Sequence, residues 1–190
     1  GVKEFLSFLR KNFYQIPKLK RFFNSINMVN NVIITPSKWM KNEIVKTFKM
    51  KNIAVIPNGI DVDLFSYRNI NVGKKLISIR PLGDKVYDIE STFHVMSLLP
   101  EEFSLDIYGE GKYRQEYERI IIEQGFSKRI KIIPNFIERN RMNHLFHKYQ
   151  IFISTSKLDT QGVTMLEAMS SGLLVAAINN TSKEEFIIDM

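Results

Sequence analysis

The run LDTQGVTMLEAMSSGLLVAAI, from Leu158 to Ile178, holds the residue types best suited to chemistry in this sequence. Asp159 and Glu167 stand on either side of Gly162. A glycine where a helix begins lets an anion approach N–H groups that have no partner inside the helix, and the helix dipole favours negative charge there. Glu167 follows Gly162 by roughly 7.5 Å along a helix rising about 1.5 Å per residue. That is about the span from a phosphate to the ribose hydroxyls of one nucleotide. Asp159 precedes the helix and is placed to reach the far end of a diphosphate. The same spacing admits a plainer arrangement, in which Asp159 offsets the helix dipole and Glu167 is a solvated helix residue.

Cations add to the pattern. In SIRPLGDK, Arg80 closes an apolar run and Lys85 lies in the loop after it. Fixed cations stabilise negative charge that develops on a departing diphosphate, although in a basic protein such residues also serve solubility. Other polar or glycine positions follow apolar runs in the same way: Gly109 and Gly111 after SLDIY, Asn135 after RIKIIP, Ser154 and Ser156 at QIFISTS, Asn179 after LLVAAI. In open parallel sheets ligands bind outside the carboxyl ends of the strands, where all these positions would fall.

The elements that position them read as a regular alternation. NVIIT, IAVIP, KKLISIR, FSLDIYG, RIKIIP, QIFIST and LLVAAI are strand-like runs. SKWMKNEIVKTF, DIESTFHVMSLL, KYRQEYERIIIEQG, RMNHLFHKY and VTMLEAMSSG are helix-like, with Met40, Ile44 and Phe48 on one face of the first. Met142, Leu145, Phe146 and Tyr149 keep helical spacing in the fourth. The strands are short apolar runs without clean alternation, as expected when helices cover both faces of a sheet. The fold class predicted is α/β, a doubly wound, Rossmann-like parallel sheet with helices on both faces. SKEE at Ser182–Glu185 fits a capping box opening a last helix. Val2, Phe5, Leu6, Leu9 and Phe13 predict an amphipathic helix within residues 1–26, packed on a neighbouring domain or lying on a membrane surface.

Composition bounds the rest. The chain has 190 residues, 44% of them hydrophobic and 25% charged, with a net charge of +7. Residues 1–50 carry ten Lys/Arg against two acids, so the basic character belongs to one end and the remainder is balanced. No cysteine is present, which excludes disulfides, thiolate zinc sites and cysteine nucleophiles. No stretch approaches the ~20 apolar residues that span a bilayer. Asp61 and Asp63 in DVD follow PNG and read as turn chemistry rather than a metal site. His144 and His147 lack a third ligand nearby, and GEG at Gly109–Gly111 lacks the third glycine of a dinucleotide fingerprint.

VIITPSKWMKNEI, VIPNGIDVDLF, SIRPLGDK, LDIYGEGKYR and DTQGVTMLEAMSSGLLVAA occur in the order and spacing of the C-terminal half of GT-B fold glycosyltransferases. From Asn31 to Ile187 the chain resembles the family 4 retaining enzymes that use nucleotide sugars to build bacterial capsules, O-antigens and exopolysaccharides. The resemblance implies that Arg80 and Lys85 contact the donor diphosphate, with the backbone of Gly162 and Val163 completing its cradle. It gives Glu167 the ribose hydroxyls and Asp159 the transferred sugar. Gly109 and Gly111 would shape the floor near the nucleotide, and the loop around Asn135 would lie beside the base. Transfer would proceed on the front face, the leaving phosphate helping to deprotonate the acceptor, with no metal and no cofactor beyond a UDP- or GDP-type donor.

Two departures stand out. The family's first acid is usually Glu where this chain has Asp159, one methylene shorter, and Asn135 stands where Gly is common. The resemblance further implies that residues 1–30 are the tail of an acceptor domain and that 31–190 form a donor domain lacking its last helices. Such a chain would bind nucleotide without turning over. The expected partners are the donor and, through the acceptor domain, a glycan or lipid-linked acceptor. The expected location is the cytoplasm, with peripheral contact at the inner face of the membrane, and no nucleic acid is involved. Two other classes are weighed against this: a GT-B-like sugar-nucleotide epimerase or phosphorylase, and a non-catalytic basic module for membrane or nucleic acid.

Overall fold

In a computed structural model of the protein the described residues are 31–187, apart from 70 and 72, together with 17, 18, 21, 24 and 25. The amphipathic helix expected within residues 1–26 lies almost wholly outside them. The chain divides into two compact units, one of residues 1–59, 157–162 and 179–190, the other of residues 60–156 and 163–178.

In the first unit, β1 (Ile33–Thr35) and β2 (Ile53–Val55) pair in parallel, Ile33 opposite Ile53, and α1 (Lys38–Phe48) connects them. The two strands form a sheet of their own and do not join the larger one. Ser37 opens α1 by accepting the Met40 amide at 3.1 Å, a helix N-cap. Ile44 is 6% exposed and packs with Met50 and Ile53, while Met40 and Phe48 lean on the same cluster.

The capping box expected at Ser182–Glu185 does not form. The segment is a 3-10 turn, Thr181–Glu185, and its two polar ends serve other elements. The Ser182 hydroxyl donates to the Asp159 carbonyl at 2.9 Å. The Glu185 carboxylate accepts the amides of Lys38 and Trp39 at 2.8 and 2.7 Å, two donors that α1 leaves unsatisfied at its start.

The second unit is built on a five-stranded, all-parallel sheet in the order β5-β4-β3-β6-β7. Its strands are β3 (Lys75–Ile79), β4 (Ser104–Tyr108), β5 (Ile130–Ile133), β6 (Ile151–Ser154) and β7 (Leu174–Ala177). The crossover helices are α2 (Ile89–Leu98), α3 (Arg114–Glu123), α4 (Arg139–Phe146) and α5 (Val163–Ser170). The doubly wound α/β sheet predicted from the alternation is present. The order jumps at β3, whose neighbours are β4 and β6, and that is the switch point beside which such sheets bind ligands.

Helices α2 and α3 cover one face, where Phe93, Met96, Tyr117 and Ile121 pack with Leu105, Ile107 and Ile130. Phe93 and Tyr117 meet edge to face at 6.0 Å. On the opposite face Phe146 of α4 stands edge-on to Phe152 of β6 at 6.1 Å and near Phe65 at 6.2 Å. Coverage of that face is incomplete. Leu105 and Ile107 are fully buried, but Ser104, Asp106 and Tyr108 between them are only partly so. β4 therefore alternates cleanly, against the expectation that helices shield both its faces.

The cap supplied from the 3-10 turn is directly testable. Glu185→Ala is expected to cost about 1 kcal/mol of stability in chemical denaturation, the typical worth of a lost helix cap.

Candidate functional site

At the carboxyl ends of β3 and β4 two loops pack backbone on backbone. Arg80 donates its amide to the Tyr108 carbonyl at 3.0 Å, and Leu82 to that of Glu110 at 2.9 Å. A Cβ on Gly109 would sit 1.9 Å from the Arg80 carbonyl oxygen, and one on Gly111 would sit 2.2 Å from Gly83 N and Leu82 C. Both glycines are thus required for this nesting, whatever else passes over the loop. Arg80 is nearly buried and donates from Nη2 to Ser154 Oγ, 2.7 Å away at the end of β6. The arginine and serine singled out at strand ends are therefore brought together. Thr155, next along, shares a hydrogen bond with Thr92 at 2.8 Å and donates to the Asp88 carbonyl at 2.9 Å, tying the start of α2 to the end of β6.

Lys85 is held by protein carboxylates. Its Nζ donates to Glu90 at 2.6 Å and to Glu116 at 2.7 Å and lies over the rings of Tyr113 and Tyr117 at 4.7 and 4.8 Å. Desolvation pulls its pKa down, but the bonds to Glu116 and Glu90 outweigh it and hold the ammonium above its ordinary range. Asn135 and the neighbouring Phe136 are exposed, Phe136 95% so, in the loop after β5. An aromatic side chain so open to water is a feature the sequence reading passed over, because a single Phe in a loop carries no pattern.

Glu167 is 2% exposed on α5, which overturns the plainer reading of a solvated helix residue. Arg139, at the start of α4, places Nη1 2.7 Å from its Oε1. No N–H is aligned on that oxygen, so Oε1 has a close positive charge and no directed hydrogen bond. Burial raises the Glu167 pKa, and the charge and contact of Arg139 pull against that rise. The Arg139 side chain keeps 58% of its surface in water and lies 5.2 Å from the centre of the Phe65 ring. The predicted α4 began at Arg141. The helix starts at Arg139, so sequence spacing could not nominate this partner.

The loop before α5 belongs to the first unit. Asp159 Oδ1 accepts the amides of Gly162 at 2.6 Å and Gln161 at 3.3 Å. Asp159 thus caps the approach to the helix, as the plainer reading had it, and the Gly162 amide is already engaged. Gly162 has a φ of 70°, left-handed backbone that favours glycine. Gln161 grips Asn58 of the PNG turn on three sides, Oε1 accepting its amide at 2.8 Å and its Nδ2 at 2.5 Å, Nε2 donating to its carbonyl at 2.9 Å. Asp61 of DVD accepts the Leu64 amide at 3.0 Å, a turn contact. Among the described residues no group of three or more His, Cys, Asp or Glu is placed to hold a metal ion.

The parallel sheet, its order and the polar strand ends are those of the Rossmann-like domain of GT-B glycosyltransferases. The chain belongs to the family described as glycosyl transferases group 1, whose profile matches residues 68–190. It is similar to the Anabaena Alr3699/HepE structure solved with UDP and glucose, at a TM-score of 0.78 and 16% identity over 94% of this chain and 52% of that one. It is also similar to the pneumococcal O-GlcNAc transferase GtfA solved with UDP and GlcNAc, at 0.70 and 21% over 93% of this chain and 34% of that one. Among curated proteins it is 28% identical over 91 residues to the GtfA subunit of the UDP-N-acetylglucosamine–peptide N-acetylglucosaminyltransferase of Streptococcus agalactiae, covering 48% of this chain and 17% of that protein. Over 85 residues it is 28% identical to digalactosyldiacylglycerol synthase 2 of Arabidopsis thaliana, again 17% of that protein's length.

Burying Glu167 has a measurable consequence. Its folded pKa lies above the unfolded one, so its favourable contribution belongs to the protonated form and is lost as pH rises from the ordinary carboxylate range through the raised value. Glu167→Gln is expected to raise Tm at neutral pH, with the gain shrinking as pH falls to the ordinary carboxylate range. A gain independent of pH would assign it to packing instead of charge.

Proposed function

We propose that this chain is the donor-binding part of a retaining, hexosyl-type glycosyltransferase that takes a nucleoside-diphosphate sugar, with uridine the favoured base. The observation that carries the reading is Glu167, a carboxylate almost fully removed from water whose Oε1 has no directed hydrogen-bond donor of its own. Two ribose hydroxyls are donors of the kind such an oxygen lacks. The UDP held in the solved HepE and GtfA structures supports the choice of base.

In this proposal Arg80, braced by Ser154, faces the diphosphate as it leaves, where a preoriented cation lowers the barrier more than a mobile one. Lys85 adds charge once it exchanges Glu90 and Glu116 for phosphate oxygens. The amides of Gly162 and Val163 receive the phosphate, and Asp159, released from the Gly162 amide, turns to the transferred sugar. Gly109 and Gly111 keep the loop floor low, and the Asn135 loop borders the base. No metal or further cofactor is expected. The whole protein is proposed to pass the sugar to a glycan or lipid-linked acceptor of an envelope polysaccharide, acting in the cytoplasm at the inner face of the membrane.

Calorimetric titration with UDP tests this. Saturable binding is expected, weakened about 10- to 150-fold by Glu167→Ala, the range for losing hydrogen bonds to a charged group. The same variant is expected to lose less affinity for 2′-deoxy-UDP than for UDP, because one of the two hydroxyls is already absent from the analogue. Glu116→Gln, which loosens the hold on Lys85, is expected to tighten UDP. No heat with UDP or GDP, or identical losses for UDP and its deoxy analogue, would overturn the reading.

A further inference from the structure

The partly uncovered face of the sheet holds a recess of about 300 Å³ at the amino ends of the strands, the end opposite Arg80. Lys75 opens β3, Ser104 opens β4 opposite it, and Lys131 is the register partner of Asp106. Lys128 and Lys148 complete the wall. The floor is a fixed hydrogen-bonded set: Tyr149, 5% exposed, donates its hydroxyl to Asp106 at 2.6 Å and lies 3.1 Å from the hydroxyl of Tyr108. Burial, followed by the bonds to Asp106 and Tyr108, pushes the Tyr149 hydroxyl well above its ordinary pKa, so it stays a donor. Arg129 also borders the recess but is committed elsewhere, donating to the carbonyls of Phe103, Leu99 and Pro100 at 3.0, 3.1 and 2.8 Å. It fixes the loop that carries Lys128.

Several cations of the unit are neutralised by neighbouring acids. Lys74, Lys85, Arg114, Arg119, Arg139 and Arg141 each face a carboxylate. Among the described residues no carboxylate is paired with Lys75, Lys128, Lys131 or Lys148, and the recess has Asp106 as its one acid. Four ammonium groups gathered on a polar concavity repel one another and favour a multiply charged anion between them. The volume equals that of about ten waters at about 30 Å³ each, enough for a phosphate and a small esterified group.

We propose that this recess binds a phosphate ester, through Lys75, Lys128, Lys131 and Lys148, at a site separate from the donor end of the sheet. The ester is either a free phosphomonoester or the phosphodiester headgroup of an anionic lipid.

The full chain is titrated with glycerol 1-phosphate at low salt, and separately co-sedimented with phosphatidylcholine vesicles with and without phosphatidylglycerol. Binding of the soluble ester assigns the free form, and sedimentation only with phosphatidylglycerol assigns the headgroup. Lys128→Gln with Lys131→Gln is expected to weaken whichever probe binds about tenfold or more, as for lost charge-assisted hydrogen bonds. Both side chains are exposed, so thermal melts are expected to match the parent. Asp106→Asn keeps an acceptor for Tyr149 and removes the one repelling charge, so it is expected to tighten the probe. UDP titrations are expected to be unchanged in all these variants, which separates this site from the donor reading. No binding of either probe, or binding indifferent to the lysine pair, would overturn the proposal.

Discussion

A carboxylate that leaves water needs compensation, and the pairing of Glu167 with Arg139 is where this structure meets that demand. Ionised groups in low dielectric are costly unless a charge of opposite sign and directed donors surround them. Glu167 has the charge at 2.7 Å from Arg139 and lacks the alignment. The arrangement keeps an acid buried with part of its hydrogen-bonding capacity unused. Helices α4 and α5 must hold their positions on the sheet for that to persist, and the ring cluster of Phe65, Phe146 and Phe152 gives them a rigid bed.

Within each unit other charged groups are also engaged by the protein itself. Lys85 sits between two carboxylates and two rings, and the Asp159 carboxylate closes on the amide of Gly162. Each contact is a short, charge-assisted bond that a competing phosphate or hydroxyl must replace. Arg80 is oriented in part by a neutral hydroxyl, that of Ser154.

The two faces of the sheet are covered unequally, and that asymmetry organises the second unit. Helices α2 and α3 bury one face with aromatic and branched side chains. Opposite them α4 and α5 reach β6 and β7 but leave the β4–β5 corner open, so polar residues occupy alternate positions of β4 there. The lysines around that corner and the residues at the carboxyl ends are thus carried by the same strands at their two extremities.

Much of this was legible in the chain alone. Apolar runs and 3.6-residue spacing are local properties, so the order of strands and helices and the α/β class could be read from windows of about ten residues. Gly109 and Gly111 stood out only as glycines after an apolar run; the backbone of Arg80, Leu82 and Gly83 that makes them necessary is brought against them by the fold. Three-dimensional structure alone decided which strands pair, and it gave β1 and β2 a sheet of their own. It decided that Glu185 caps α1 and not its own turn, that Arg139 reaches Glu167, and that Lys85 finds Glu116. These partners lie 28 or more residues apart, and their meeting depends on loop paths and packing, which no spacing rule encodes. Local sequence specifies what each segment can be; the long-range choice among equally charged partners is made only when the segments are packed.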